Sequence, residues 1–259
     1  MKIAIVTGAT SGLGHAFLEQ WQQRHIELDE VWLIARHEDR LLATAEALPW
    51  KARCFAIDLA RAEERAVLRH ALEVHQPAVQ YVVNAAGYGK IGRVDGIDAL
   101  EQTGMVDLNC TALVDVSQQV LPYLGRDSVL FEIASVAAFL PQPQFAVYAA
   151  TKAFVLSFSR ALNAELHHTS AQVIAVCPNP MATAFFDRAG GTPSAFKRFF
   201  FEKPEKVAEK AMRAADRGKD VVVSCLSARL LRLISKLIPH SLVLQVEKLL
   251  SIDVGKLGK

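Results

Sequence analysis

Thr7-Gly8-Ala9-Thr10-Ser11-Gly12-Leu13-Gly14 follows a short apolar run and precedes a segment of helical length, and this stretch decides the fold. Glycine is needed where a backbone turns tightly, approaches a phosphate or lets a helix pack closely on a strand. The amino end of the following helix would offer free N–H groups and partial positive charge to a pyrophosphate. The spacing Gly-x-x-x-Gly-x-Gly differs from the Gly-x-Gly-x-x-Gly of many dinucleotide folds. The loop therefore predicts a nucleotide site beside the first strand.

The rest of the chain alternates apolar runs with amphipathic segments. The runs are nearly continuous and predict strands at Ile3–Val6, Val31–Ile34, Cys54–Ile57, Tyr81–Val83, Val129–Ile133, Val173–Val176 and Val221–Val223. Helices are predicted at His15–Arg24, Asp39–Leu48, Ala62–His75, Gly104–Leu121, Ala149–His167 and, after Pro204, Glu205–Arg217. Continuous apolar strands separated by helices indicate a parallel sheet covered on both faces. We expect an α/β fold: one doubly wound, Rossmann-like domain over residues 1–225 with a mostly seven-stranded parallel sheet, then an amphipathic extension over 226–259.

Composition excludes several classes of protein. The 259 residues carry 29 basic and 27 acidic side chains, and a formal net charge of +2 does not suggest a nucleic-acid-binding protein. The four cysteines and eight histidines show no metal-ligand spacing, so no metal site is predicted. The apolar run at the amino terminus is too short for a signal peptide, and prolines interrupt the uncharged stretch 133–151. We expect a soluble, cytoplasmic protein with reduced thiols.

Two side chains four residues apart are candidates for acid–base chemistry. Tyr148 and Lys152 would share one face of a helix. A nearby lysine cation is expected to lower the pKa of the tyrosine, whose reference value is about 10. Ser135 lies thirteen positions before Tyr148, at the end of a predicted strand, where parallel sheets bind their ligands. These three residues predict a catalytic group.

Arg36 follows the second predicted strand, where an acidic residue would receive the ribose hydroxyls of NAD. Arginine can instead pair with a 2′-phosphate, so NADP is favoured over NAD. The alternative is an ordinary surface arginine.

Together these motifs resemble the short-chain dehydrogenase/reductase family, in its single-domain subgroup with Tyr-x-x-x-Lys, over most of the chain. The matching motifs are the glycine loop, Asp58-Leu59, Asn84-Ala85-Ala86-Gly87, Asn109, Ser135, Tyr148-x-x-x-Lys152 and Pro178…Thr183. The resemblance implies hydride transfer between a nicotinamide and a carbonyl group or secondary alcohol. It implies that Tyr148 is the general acid or base, that Lys152 holds the nicotinamide ribose, that Ser135 binds the substrate oxygen and that Asn109 holds a water of a proton relay.

The resemblance also implies a set of cofactor-binding residues. These are Gly8, Thr10, Ser11, Gly12, Leu13, Gly14, Arg36, Asp58, Leu59, Asn84, Ala86, Gly87, Tyr148, Lys152, Pro178, Met181 and Thr183. Ala85, Ala134 and Asn179 depart from the usual residues, and asparagine tolerates the positive φ that the usual glycine at position 179 would supply. Two structural alternatives stay open: Asp58 caps a helix, and Asn109 only cross-links helices.

The sequence after Thr183 bears on substrate and partners. Six phenylalanines fall in a predicted substrate lid over residues 184–204, namely Phe185, Phe186, Phe196, Phe199, Phe200 and Phe201. They favour a lipophilic ketone or 3-oxoacyl substrate, and packing on the core or on a partner subunit is the alternative. An enzyme is the leading hypothesis; a nucleotide-binding sensor or interaction protein with little turnover is its alternative.

The extension has an amphipathic pattern. Leu230, Leu231, Leu233, Ile234, Leu237 and Ile238 recur at helical spacing opposite Arg229, Arg232, Ser235 and Lys236. Three interpretations stay open: peripheral contact of residues 226–250 with an anionic membrane, a cover for the substrate pocket, or a subunit interface. The family tendency favours a homo-oligomer, either a dimer or a tetramer.

Overall fold

All seven predicted strands are present in the computed structural model, which describes residues 1–181, 183, 185–190 and 201–245. They are β1 (Lys2–Thr7), β2 (Glu30–Ala35), β3 (Lys51–Ala56), β4 (Ala78–Asn84), β5 (Leu124–Ile133), β6 (Gln172–Cys177) and β7 (Val221–Val223). Every pairing is parallel, and the strand order is β3-β2-β1-β4-β5-β6-β7. The chain runs outward from β1 to one edge and then returns to β4, which confirms the doubly wound, Rossmann-like arrangement.

Helices cover both faces of this sheet. They are α1 (Gly12–Gln23), α2 (Glu38–Glu46), α3 (Ala62–His75), α4 (Ala99–Val106), α5 (Leu113–Val120), α6 (Ala146–Glu165), α7 (Phe185–Ala189), α8 (Pro204–Ala215) and α9 (Leu226–Leu237). On one face Phe17 and Trp21 of α1 pack with Val207 and Met212 of α8 against β1, β5 and β6. On the other, α3, α5 and α6 contribute Leu68, Val116 and Leu162. Burial on both faces explains why the strand sequences are continuously apolar.

The helix predicted over Gly104–Leu121 differs in the structure. It begins earlier, at Ala99, and a π-helical segment, Asp107–Ala112, separates α4 from α5. A π-helical turn shifts the hydrogen bonds by one residue, and such turns are frequent at functional sites. Pro204 occupies the first turn of α8, as predicted, because its missing N–H has no helical partner there.

The carboxyl-terminal part is described up to residue 245. α9 ends at Leu237, before Pro239, and helical geometry resumes at residue 240. Within the described residues, no helix combines the length and the apolar character that a membrane span requires. Ala182, Ala184, residues 191–200 and residues 246–259 lie outside the described residues, so Phe196, Phe199 and Phe200 of the predicted lid and the end of the predicted extension lie outside them too.

Candidate active site

The carboxyl ends of the central strands open into a cavity of about 1140 Å³. Most of the predicted site residues line it. They are Gly8, Thr10, Ser11, Gly12, Leu13, Arg36, Asp58, Leu59, Ala86, Gly87, Ser135, Tyr148, Lys152, Pro178, Met181 and Thr183. Gly14, Asn84 and Asn109, which we predicted to be site residues, lie behind the wall of this cavity. Gly14 packs on the glycine loop, and Asn84 and Asn109 form buried hydrogen bonds.

The glycine loop is tied to the two strands beside β1. Gly8 has φ +66°, and its N–H donates to the carbonyl of Ile34 at 2.9 Å. The Thr7 hydroxyl accepts the N–H of Ala86 at 3.0 Å. A Cβ atom added at Gly14 would lie 2.5 Å from the Gly8 carbonyl oxygen. Gly14 therefore allows α1 to pack closely on the loop, which is why it is absent from the cavity surface.

The chemistry of this loop fits a dinucleotide. Ser11 precedes α1 without a capping hydrogen bond from its side chain, and the first turn of α1 contains no acidic residue. The first N–H groups of this helix are thus available to an anion, and the helix dipole favours negative charge there. Ser11 and Gly12 both line the cavity. The loop is therefore suited to the pyrophosphate of a nicotinamide dinucleotide.

Arg36 is exposed at the end of β2 and lines the same cavity. Arg40 lies one turn along α2 and lines it as well. We did not predict Arg40 from the sequence; the signal was its i,i+4 relation to Arg36 at the start of a helix. Two guanidinium groups at one edge of the cavity suit a ligand that carries more negative charge than the pyrophosphate alone.

Side-chain contacts hold two turns near the cavity, at Asp58 and at Asn179. Asp58 does not cap α3, which begins at Ala62; its carboxylate instead accepts the N–H of Ala60 at 3.1 Å in a local turn.

Asn179 is not at positive φ. Its N–H donates to the Glu202 carboxylate at 3.0 Å and its side-chain amide donates to the sulfur of Cys225 at 2.9 Å. This turn is held by side-chain contacts, so it needs no left-handed backbone.

Ser135, Tyr148 and Lys152 come together on the cavity wall. Ser135 follows β5 and caps a short 3₁₀ turn (Val136–Phe139), because its hydroxyl accepts the N–H of Ala137 at 3.1 Å. The same hydroxyl lies close enough to the Tyr148 phenol to lower its pKa. Lys152 lies one turn along α6, with Nζ 5.8 Å from the centre of the Tyr148 ring, and donates to the carbonyl of Ile133 at 2.6 Å. A phenol and an ammonium group thus share one buried site.

Burial dominates the titration of this pair. It raises the pKa of Tyr148 to about 12, and the nearby Ser135 hydroxyl opposes that rise. We predicted a pKa below the reference value of about 10; it lies above that value because removal of the phenolate from water outweighs the favourable contacts. Burial also lowers the pKa of Lys152 to about 8, whereas Cys110, Cys177 and Glu132 act to raise it. At neutral pH the tyrosine carries its proton and the lysine is mostly cationic.

Asn109 is buried in the π-helical segment and its side chain is fully occupied. Its Oδ1 accepts the N–H of Tyr88, and its Nδ2 donates to the Tyr88 carbonyl and to the Thr151 hydroxyl at 3.1 Å. The side chain therefore cross-links the loop after β4 to α6. Asn109 does not line the cavity, and its role in holding a relay water stays a prediction.

Asn84 belongs to a buried polar cluster that also contains Glu132. Its Nδ2 donates to Oε1 of Glu132 at 3.1 Å and to the Ser117 hydroxyl at 3.2 Å, and the Ser117 hydroxyl donates to the same carboxylate oxygen at 2.9 Å. Burial raises the pKa of Glu132 to about 7. Asn84 thus joins β4 to β5 and does not line the cavity. We did not predict Glu132 from the sequence; the signal was that it is a single acidic residue within an apolar strand.

The substrate side of the cavity is aromatic. The Tyr148 ring stacks on Phe145 with 4.3 Å between ring centres, and Phe185 packs on it at 5.4 Å. Of the six lid phenylalanines, Phe185 lines the cavity and Phe201 is half-buried elsewhere. The Arg188 guanidinium also lines this side, 3.7 Å from the centre of the Tyr88 ring. Ser227, Ala228 and Leu231 of α9 complete the wall.

Comparison with known proteins gives a consistent result. The family described as short chain dehydrogenase matches residues 2–192. A sulfoacetaldehyde reductase from Chromohalobacter salexigens is 33% identical over 74% of this chain and 78% of its own length. A short-chain dehydrogenase from Sphingobium yanoikuyae, solved in complex with NADPH, is 26% identical with a TM-score of 0.77 over 97% of this chain and 96% of that one. A bulky-bulky ketone specific alcohol dehydrogenase from Comamonas testosteroni is 26% identical with a TM-score of 0.72 over 87% of each chain.

Proposed function

The chain belongs to the short-chain dehydrogenase family, and from this premise we propose that it is an NADP-dependent oxidoreductase acting on a lipophilic ketone, 3-oxoacyl compound or secondary alcohol. The observation that carries the proposal is the buried group of Ser135, Tyr148 and Lys152 on the wall of a cavity that also contains the glycine loop. One cavity thus holds proton-transfer groups and a dinucleotide cradle. Membership of the family makes the reaction an oxidoreduction.

The chain's own residues would manage the proton. When bound, the nicotinamide exchanges a hydride with the substrate carbon. In the reducing direction the Ser135 hydroxyl would hold the carbonyl oxygen, and Tyr148 would give its proton to that oxygen as negative charge develops there. The charge left on Tyr148 would be stabilised by the Lys152 cation, since the single Ser135 proton is directed at the substrate oxygen. In the oxidising direction the same groups act in reverse, with Tyr148 accepting the alcohol proton.

The preference for NADP is supported by Arg36 and Arg40. Both line the edge of the cavity next to β2 and are exposed, so both guanidinium groups can meet a 2′-phosphate without breaking a buried ion pair. The relative from Sphingobium yanoikuyae, 26% identical, was solved with NADPH. We expect NADPH to bind more tightly than NADH.

The preference for a lipophilic substrate is supported by Phe145 and Phe185, which cover the two sides of the catalytic phenol. A wall of this kind gains from burying apolar substrate surface. The relative from Comamonas testosteroni acts on bulky ketones. A homo-oligomeric state, either a dimer or a tetramer, and a cytoplasmic location stay predictions.

A second candidate substrate is a small aldehyde bearing an acidic group. Arg188 favours it, because a guanidinium on the substrate side of the cavity could pair with a sulfonate or carboxylate. The sulfoacetaldehyde reductase, 33% identical, is consistent with this choice. Arg188→Leu would then abolish activity on the acidic aldehyde and leave activity on bulky ketones intact.

The test is turnover of a bulky ketone and of an acidic aldehyde with NADPH, in the wild type and in Tyr148→Phe. Because the variant keeps the ring that packs on Phe145 and Phe185 and loses the hydroxyl that carries the proton, we expect kcat to fall by about a hundredfold or more with NADPH binding unchanged. Tyr123→Phe, a matched change outside the cavity, should keep full activity. Full activity in Tyr148→Phe would overturn the assignment, and NADPH binding without turnover of any carbonyl would favour a nucleotide sensor.

A further inference from the structure

A second, smaller cavity lies between α8, β7 and α9. It has a volume of about 610 Å³ and shares no lining residue with the active-site cavity. Seven basic side chains of the described residues line it: Lys210, Arg213, Arg217, Lys219, Arg229, Arg232 and Lys236. We call it the basic groove. Since the whole chain has a formal charge of only +2, this is a strong local concentration of positive charge.

Most of this charge is not neutralised within the described part of the chain. Arg213 pairs with Glu209 at 2.6 Å, and Lys210 lies 3.9 Å from the Glu202 carboxylate. The other five basic side chains form no ion pair with any described residue. Cations gathered in this way repel one another, so the groove would be stabilised by an anionic partner.

An exposed apolar stripe runs beside the groove on α9. Leu226, Leu230, Leu233 and Leu237 are 78%, 58%, 54% and 73% exposed. Their spacing of four, three and four residues places them along one line of the helix. The opposite face of α9 is packed on the protein through Ala228, with Leu231 beside it. The stripe therefore points away from the body of the protein, and the basic side chains of α9 flank it.

We propose that α9 and the basic groove form a docking surface for an anionic lipid bilayer. The leucines would enter the boundary between headgroups and acyl chains, and the flanking lysines and arginines would contact lipid phosphates. A helix with leucines on one side and cations beside them is the arrangement that binds such interfaces. The proposal does not depend on the proposed reaction.

Charge argues against two other occupants of this surface. A two-fold contact between copies of the chain would bring the same patch together from both subunits, and the two basic grooves would repel each other. The last fourteen residues of the chain contain Glu247 and Asp253 against Lys248, Lys256 and Lys259, so they carry no excess of negative charge to fill the groove. A bilayer supplies both the anions and the apolar phase.

The test is flotation of the full-length protein with vesicles of phosphatidylcholine, with or without phosphatidylglycerol, at low and high salt. We expect binding only to vesicles that contain phosphatidylglycerol, and we expect high salt to weaken it. Arg217→Glu/Lys219→Glu should reduce the partition coefficient by about tenfold or more. The matched control, Lys51→Glu/Arg126→Glu, reverses two exposed charges away from the groove and should retain most of the binding.

The apolar contribution is tested separately by Leu230→Gln/Leu237→Gln, with Leu42→Gln/Leu100→Gln as the control. The first pair should reduce binding by about tenfold or more, and the control should not. Far-ultraviolet circular dichroism of each variant reports whether it is folded. Failure of the folded wild type to bind anionic vesicles at low salt would overturn the proposal. So would a switch from oligomer to monomer in Leu230→Gln/Leu237→Gln without a change in vesicle binding, because the stripe would then be a subunit interface.

Discussion

Asn109 holds the backbone of Tyr88 at both of its polar groups: its Oδ1 accepts the Tyr88 N–H at 3.0 Å, and its Nδ2 donates to the Tyr88 carbonyl at 2.9 Å. The same Nδ2 donates to Thr151, three residues after Tyr148. One amide side chain thus connects the π-helical segment, the loop after β4 and α6. The position of α6 relative to this loop depends on a group that can both donate and accept.

Asn109→Asp is expected to destabilise the protein by about 3 kcal/mol, measured by urea unfolding at neutral pH. A carboxylate cannot donate to Tyr88 or Thr151, and it would be a buried charge beside a carbonyl oxygen. Asn163→Asp is the matched control, because Asn163 Oδ1 accepts the N–H of Val173 at 2.8 Å and a carboxylate can do the same. Equal stability of the two variants would mean that the Asn109 bonds carry little free energy.

Arg36→Ala/Arg40→Ala is expected to raise the Kd for NADPH by about ten- to a hundredfold, because the variant loses charge-assisted hydrogen bonds to the 2′-phosphate. The Kd for NADH should change by less than about threefold, since NADH lacks that phosphate. Nicotinamide fluorescence measures both constants. Arg126→Ala, at an exposed arginine away from the cavity, controls for loss of charge alone. An equal loss of affinity for both cofactors would contradict a 2′-phosphate contact.

Glu132→Gln tests the buried polar cluster through the pH dependence of stability. Burial raises the pKa of Glu132 to about 7 from 4.5, so the folded protein binds a proton more tightly there than the unfolded chain does. The stability that this proton confers is full below about pH 4.5 and is lost as the pH rises through 7. Glutamine keeps the acceptor for Asn84 and Ser117 without titrating.

The free energy of unfolding of Glu132→Gln, relative to the wild type, should therefore increase by about 2 kcal/mol between pH 5 and pH 8. Urea unfolding at several pH values measures it. Glu46→Gln, at an exposed glutamate, should show no such trend. A difference between Glu132→Gln and the wild type that stays constant with pH would show that Glu132 titrates alike in the folded and unfolded chains.

Local patterns were sufficient for the sheet and for the positions of Ser135, Tyr148 and Lys152. Continuous apolar runs indicate strands wherever helices cover both faces of a sheet. The first and last residues of the strands differ from the predicted ones by a few positions. Ser135, Tyr148 and Lys152 lie where the resemblance placed them, because a strand end and a helix face are local features. Their assigned roles in catalysis stay predictions.

What could not be predicted depends on contacts between distant parts of the chain. The π-helical segment has ordinary helical periodicity, and Asn109 in it bonds Tyr88 and Thr151. The raised pKa of Tyr148 comes from burial, which only the folded packing around α6 determines. Glu132 is tolerated in an apolar strand because Ser117 of α5 and Asn84 of β4 donate hydrogen bonds to its carboxylate. None of these partners is adjacent in sequence.

The central place of β1 in the sheet has a consequence for synthesis on the ribosome. Lys2 at the start of β1 pairs with Ala78 at the start of β4, so β1 gains this neighbour only after β2 and β3 have been synthesised. Until then Ile3 and Ile5, which are fully buried in the folded sheet, lack β4 beside them and leave apolar surface exposed on the growing chain. The residues that line the cavity extend from Gly8 to Val243, so the cavity is complete only when nearly all of the described part of the chain has folded.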